Sequence, residues 1–250
     1  MKIHRLTTGR VRGPRRPHGI RRYVRLEWSG ETLPVNAFLI EHRAGLCLVD
    51  TGQSAEAAVP GYLPRWHPFL RTARFELAAG DEAVAQVRRL GFRPEQVRWI
   101  VLTHLHTDHV GGLAAFPSSE VVVSETEWRR AGGFRGQLIG YVPKQLPAGL
   151  APRLVRLTEP GVGPFATSLA LDDERSLNLV PLPGHTPGQI GLLAVGERRS
   201  ALLGGDVAHN WRELQEAAPE LAAYCSREHV SFLAAHEDDL PEVLDLSEGG

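Results

Sequence analysis

The chain has 250 residues, 42% of them apolar and 23% charged, with a formal net charge of −1. That length and balance suit one large globular domain spanning residues 1–250, and exclude a disordered or fibrous chain. A charge this close to zero sets up no field that would gather nucleic acid or an anionic membrane.

Residues 1–25 carry nine Lys or Arg and no acid, interrupted by Pro14, Pro17 and Gly19. This segment reads as an irregular, solvated edge between short strands, with an arm for nucleic acid as the alternative. The N-terminus lacks the apolar core of a signal peptide, and no run approaches the ~18 apolar residues of a membrane span. A cytoplasmic protein is therefore expected. "VNAFLIEH" (35–42) and "LCLVD" (46–50) read as buried strands joined by a turn, with Cys47 as a small core hydrophobe. Cys47 and Cys225 form no CxxC, so no disulfide framework is expected. Residues 52–79 are irregular and hold Tyr62, Pro64, Trp66, His67, Pro68 and Phe69. Such a loop is either a lid over a binding site or a cover packed on the core. Asp81 is placed to cap a helix, "EAVAQVRRL", that stops at Gly91. "VRWIVLT" (97–103) is then a strand, "HLHTDHVGG" (104–112) a turn, "EVVVS" (120–124) a strand, and Ser124 the cap of a further helix. Later strands fall at 176–181, 190–195, 200–204 and 229–235. Strands, then strand–helix alternation, then strands again point to two sheets with helices on their outer faces.

The turn at 104–112 concentrates the chemistry. If the chain stays extended, His104 and His106 face the same way, because a strand's side chains repeat every second residue. Asp108 and His109 come where the chain turns, and Gly111 and Gly112 let it turn tightly. Burying imidazoles and a carboxylate together is costly unless they have partners, and a divalent metal supplies one. Neutral imidazole and carboxylate suit Zn, Fe, Mn or Co. His4, His18, His42 and His229 have no comparable context. Tyr141 and Phe134 either line a pocket or pack.

With those residues in view, the sequence resembles the metallo-β-lactamase-fold hydrolases. "HLHTDH" matches the HxHxDH pattern. "PLPGHTPGQIG" supplies a distant His185, "LLGGDVAHN" supplies Asp206, and "FLAAHEDD" supplies His236. Upstream, "LVDTG" carries Asp50. The resemblance covers roughly residues 34–240. It implies a four-layer αββα sandwich with two metal ions at one edge, most readily Zn2+. His104, His106 and His185 would hold the first, Asp108, His109 and His236 the second, and Asp206 would bridge both. Asp50 would orient the ligand turn.

The implied activity is hydrolysis of an ester-like bond (a lactone, carboxylic ester or phosphotriester) by a hydroxide shared between the two ions, whose pKa the metals lower. Asp108 would pass the proton to the leaving group. Asp206 argues against the class B β-lactamases, and the 14 residues after His236 leave no room for a glyoxalase II substrate domain. The closest look is that of the N-acyl homoserine lactonase group. The lactonases most like this pattern carry a substrate-contacting Tyr three residues after the bridging Asp, where this chain has His209. Histidine can also donate a hydrogen bond, so His209 is the second catalytic candidate. The expected partner is a small, partly hydrophobic substrate, not nucleic acid or a membrane; the oligomeric state is open, a homodimer included. A different class, a mononuclear iron sulfur dioxygenase on the same fold, would use His104, His106 and His185 without His236. A nuclease would use the basic N-terminal segment and show steep salt dependence.

Overall fold

The computed structural model describes residues 1–12, 14–15, 27–28, 32–62, 66, 73–132, 136 and 140–248. In chain order the strands begin with β1 (Lys2–Arg12), β2 (Pro14–Arg15), β3 (Glu27–Trp28), β4 (Leu33–Glu41), β5 (Leu46–Val49) and β6 (Arg74–Glu76). Helix α1 (Ala83–Arg89) leads to β7 (Val97–Val101), the short helix α2 (Thr107–Val110), β8 (Glu120–Ser124) and α3 (Glu125–Ala131). Then come β9 (Arg153–Val155), β10 (Glu159–Pro160), β11 (Thr167–Ala170), β12 (Leu177–Pro181), β13 (Ile190–Val195) and β14 (Ser200–Gly205). Helices α4 (Trp211–Ala217) and α5 (Pro219–Arg227), β15 (Val230–Ala234) and β16 (Val243–Asp245) complete the order.

One sheet runs β16-β1-β4-β5-β7-β8-β9, with β6 added on β1; a second runs β10-β11-β12-β13-β14-β15; β2 and β3 pair separately. Strands β5, β7, β8 and β9 are mutually parallel, as are β14 and β15. Between the sheets lies an apolar layer that includes Ile40, Trp99 and Val101 from the first and Leu179, Leu192 and Leu203 from the second. On the outer face of the first sheet, Ala83 and Val87 of α1 and Ala131 of α3 pack on Leu39, Leu48 and Ile100. On the outer face of the second, Leu214 of α4 and Ala222 and Cys225 of α5 pack on Val180, Leu193 and Leu202. Helix, sheet, sheet, helix is the αββα sandwich that the sequence resemblance implies. No helix among the described residues is long and apolar enough to cross a membrane.

Most expected elements stand within a residue or two of their sequence bounds. Ser124 caps α3 by accepting from Glu127 N. Three local readings need correction. The N-terminal segment begins not with an irregular edge but with the 11-residue strand β1, inside the first sheet between β16 and β4. Its Ile3, Leu6 and Val11 are buried, while Arg5 and Arg10 reach Asp238 at a sheet end. Asp81 does not cap α1: the cap position is Glu82, and the Asp81 carboxylate instead accepts from Ala78 N at 2.7 Å. Gly111 and Gly112 adopt ordinary right-handed angles, so freedom to turn is not their role. A Cβ on Gly111 would sit 2.5 Å from Gln53 Oε1, and one on Gly112 2.5 Å from Thr51 O. They are glycine because the 51–54 backbone lies against them. Pro17, His18, Gly19, Pro64, His67, Pro68, Phe69 and Phe134 lie outside the described residues. Tyr62 stacks under Lys144 Nζ at 4.1 Å, and Trp66 is exposed.

Candidate metal centre

The residues singled out in the sequence come together where strands of both sheets end. His104, His106, Asp108 and His109 follow β7. His185 lies between β12 and β13, Asp206 directly follows β14, and His236 comes two residues after β15. Backbone bonds stitch this edge: Ile190 N donates to Thr103 O at 3.0 Å, and Asn36 N to Ala235 O at 2.8 Å.

Three nitrogens converge on one side. His106 Nδ1 lies 3.1 Å from His104 Nε2 and 2.8 Å from His185 Nε2. A ring nitrogen carries one proton or one lone pair, so His106 Nδ1 can satisfy only one of these neighbours by hydrogen bonding. Burial holds the pKa of His104 well below the ordinary imidazole range and lowers that of His106. Neutral rings with lone pairs to offer are what a cation requires.

On the other side, His109 Nε2 and His236 Nε2 face one carboxylate oxygen of Asp206, at 3.2 and 3.3 Å. The other oxygen of Asp206 faces the first set, 3.9 Å from His104 Nε2 and 3.5 Å from His185 Nε2. Asp108 stands over the second set, 4.0 Å from His109 Nε2 and 3.8 Å from His236 Nε2. The far nitrogens of both histidines are held: His109 Nδ1 donates to Asp50 Oδ2 and His236 Nδ1 to Pro34 O, each at 2.7 Å. In the neutral rings Nε2 is thereby left as the lone-pair nitrogen aimed at the cluster. Asp50 itself is fixed by Thr103, whose N and Oγ1 donate to its two oxygens at 2.8 Å.

Burial opposes charge on His109, but Asp206 and Asp50 outweigh it and lift its pKa well above the usual value. His236 is raised in the same way by Asp206 against its burial. Burial would raise Asp206, yet His236 and His109 hold it well below the carboxylate range. The field at this spot favours positive charge. His109 Nε2 and Asp206 Oδ1 are buried and face each other at 3.2 Å without a hydrogen bond of good geometry, and His106 Nε2 is buried with no hydrogen-bond partner. Orphaned polar atoms, imidazole and carboxylate donors, and a field that attracts cations all fit divalent metal.

Among the described residues, four overlapping triplets bring metal-ligating atoms within 4.8 Å of one another: His104–His106–His185, His104–His109–Asp206, Asp108–His109–His236 and Asp206–His209–His236. His209 thus joins the cluster, its ring 5.3 Å from that of His236. Glu213 Oε2 lies 2.6 Å from His209 N and 2.9 Å from Nδ1. His4, His42 and His229 stand apart from every triplet. The sequence reading passed over Glu127. It is fully buried, and its carboxylate accepts from Leu105 N, Tyr141 Oη and Thr186 Oγ1. A carboxylate on the inward face of α3, in line with Ala131, was the available signal.

Comparison with known proteins follows the same line. A family model described as the metallo-beta-lactamase superfamily matches residues 30–228. A probable metallo-hydrolase of Mycobacterium bovis is 35% identical over 189 residues, covering 72% of this chain; the match spans 59% of that protein's length. The N-acyl homoserine lactonase AttM of Agrobacterium fabrum is 27% identical over 234 residues, 83% of each chain. In fold, the chain matches a crystal structure of an N-acyl homoserine lactone hydrolase with N-hexanoyl-L-homoserine at its catalytic metal centre. The TM-score is 0.72 at 20% identity, over 95% of this chain and 94% of that one. It also matches AidC, described as a dizinc quorum-quenching lactonase, with a TM-score of 0.60 at 16% identity, over 96% of this chain and 88% of that one.

Proposed function

The chain belongs to the metallo-beta-lactamase superfamily, and on that premise we propose that it is a hydrolase of ester-like bonds working with two divalent ions, Zn2+ favoured. The observation that carries this reading is Asp206, with one oxygen toward the His104–His106–His185 nitrogens and the other toward His109 and His236. In the proposal His104, His106 and His185 hold one ion, Asp108, His109 and His236 the other, and Asp206 both. Ions so held supply Lewis acidity toward a carbonyl or phosphoryl oxygen and lower the pKa of water to about 7.

The chain's own residues do the rest. Asp50, Thr103 and Pro34 O fix the ring orientations of His109 and His236. Asp108, the most exposed of the carboxylates in the cluster, is the group that takes and returns a proton. His209, held by Glu213, contacts the substrate at the rim. The substrate class is a small, partly hydrophobic lactone, ester or phosphotriester. The lactone reading draws on AttM and on the homoserine-bound structures among the matches. We propose a single catalytic domain over residues 1–250.

The test is metal per chain together with turnover of a γ-lactone, an aryl ester and a phosphotriester, with and without Asp108→Asn. Two ions per chain and a loss of 100-fold or more in the variant are expected, on the scale of general acid–base contributions. One iron per chain with no hydrolysis would overturn the reading and favour the mononuclear oxygenase.

A further inference from the structure

Glu127 is unexpected where it stands. It is 0% exposed, and among the described residues no Lys, Arg or His lies in ion-pair distance of it. A buried carboxylate without a cation is a poor way to fill a core, since apolar residues of similar volume do so at lower cost. What Glu127 has instead is three donors from three distant segments. Leu105 N reaches Oε1 at 3.2 Å, Tyr141 Oη reaches Oε1 at 2.6 Å, and Thr186 Oγ1 reaches Oε2 at 2.8 Å. Each donor is tied to a histidine of the first set. Leu105 lies between His104 and His106. Thr186 follows His185. Tyr141 bridges the His106 backbone, and its ring centroid lies 5.2 Å from that of His106. The turn bearing His185 also rests directly on α3: a Cβ on Gly188 would come within 2.3 Å of Glu127 N. One carboxylate therefore gathers every segment that contributes to the three-nitrogen set. None of its bonds reaches the His109–His236 side.

We propose that Glu127 is a positioning residue for the three-histidine metal site alone. It touches neither ion nor substrate. It holds the 104–106 turn, the 185–186 turn and Tyr141 in register, and its negative charge favours a cation among the rings it orients. The proposal rests on the binuclear reading above.

The test separates the two sites. His236→Ala cripples the second site and leaves the first to be measured; His104→Ala does the reverse. In each background the affinity for Co2+ is measured by chelator competition, and the visible spectrum of the bound Co2+ is recorded, with and without Glu127→Gln. In the His236→Ala background Glu127→Gln is expected to weaken binding 10- to 100-fold, the usual scale for groups that orient ligands, and to shift the spectrum. In the His104→Ala background affinity should stay within about twofold, the scatter expected of an uncoupled site. Equal weakening in both backgrounds would mean a merely structural role and overturn the proposal; so would no change in either. Should Glu127→Gln not fold, Thr186→Val decides: it removes one donor, keeps the carboxylate, and is expected to weaken the first site only. If the parent protein binds two ions and these tests fail, only the role of Glu127 falls. If it binds none, the binuclear reading falls with it.

Discussion

Asp206 is the residue on which the two halves of the cluster meet, and its chemistry leaves little latitude. Its side chain is 7% exposed, and its pKa is held well below the carboxylate range by His236 and His109 against the burial that would raise it. An amide at this position keeps the shape but loses the charge, and it turns one acceptor into a donor facing lone-pair nitrogens. On the binuclear proposal, Asp206→Asn is therefore expected to drop metal content from two ions per chain to one or fewer. Hydrolysis should fall at least 100-fold, since a ligand is lost and not only its support. Metal analysis of the purified variant beside the parent checks this; two ions retained at parental affinity would contradict it. At this scale the sequence was informative because each candidate ligand lies in a short motif of recognisable spacing. Glu127 and Glu213 were not legible, because their meaning lies in partners that the fold brings from elsewhere. For Glu127 these are residues 105, 141 and 186. For Glu213 it is the ring of His209, one turn earlier.

Elements were legible where propensity, periodicity and caps agreed, and obscure where charge masked the pattern. Strand β8 and helix α3 meet at Ser124, a strong cap beside an apolar run, and both stand as read. Strand β1 was obscured by its arginines. Their heads leave the sheet toward Asp238 and Thr32 while Ile3 packs between the sheets, Leu6 on the outer face and Val11 near the strand end, so a charge count hid a strand buried on both faces. Beyond these elements, the hairpin of β11 and β12 carries a polar clamp that no motif announced. His42, just past β4, meets Ser176 Oγ through Nε2 at 2.9 Å, and Ser176 Oγ donates to Asp172 Oδ2 at 2.9 Å. Burial lowers the pKa of His42, with Asp172 opposing only in part. Burial would raise Asp172, but bonds from Leu177 N and Ser176 lower it. Both folded values lie below the unfolded ones, so the unfolded chain binds more protons in acid and stability is lost as pH falls. The His42 contribution is complete above about pH 6.5 and erodes below it; that of Asp172 erodes below about pH 4. A His42→Asn variant should therefore lose stability less steeply than the parent between pH 7 and 5. Ser176→Ala should cost about 1–3 kcal/mol at pH 7 by leaving buried partners unmatched. Denaturant midpoints measured across pH test both, and parallel pH profiles for parent and His42→Asn would remove the clamp from the account.

At the scale of the whole molecule, the candidate centre is also a seam. His104, His106, Asp108 and His109 hang from the first sheet, while His185, Asp206 and His236 hang from the second. Behind them the sheets are joined by an apolar layer around Trp99, Leu179 and Leu192, and that layer does not depend on any ion. Ions bound by both sheets would add to it by mass action, because they bind the folded chain far better than the unfolded one. At a free concentration 100 times Kd one such ion contributes about 2.7 kcal/mol. For a chain of this size each kcal/mol moves Tm by roughly 2–4 °C. Chelation should then lower Tm by about 5–11 °C per ion removed under those conditions, and added Zn2+ should restore it. The apolar layer should keep the stripped protein folded at 25 °C, so the far-ultraviolet spectrum is expected to change little on chelation. If ions are held there, removing them would also leave His109, His236 and Asp206 to share protons in a buried space, a poorer match for the same field. If Tm were indifferent to chelator and to zinc, the seam would be closed by protons alone, with His109 Nε2 held against Asp206 Oδ1 at 3.2 Å.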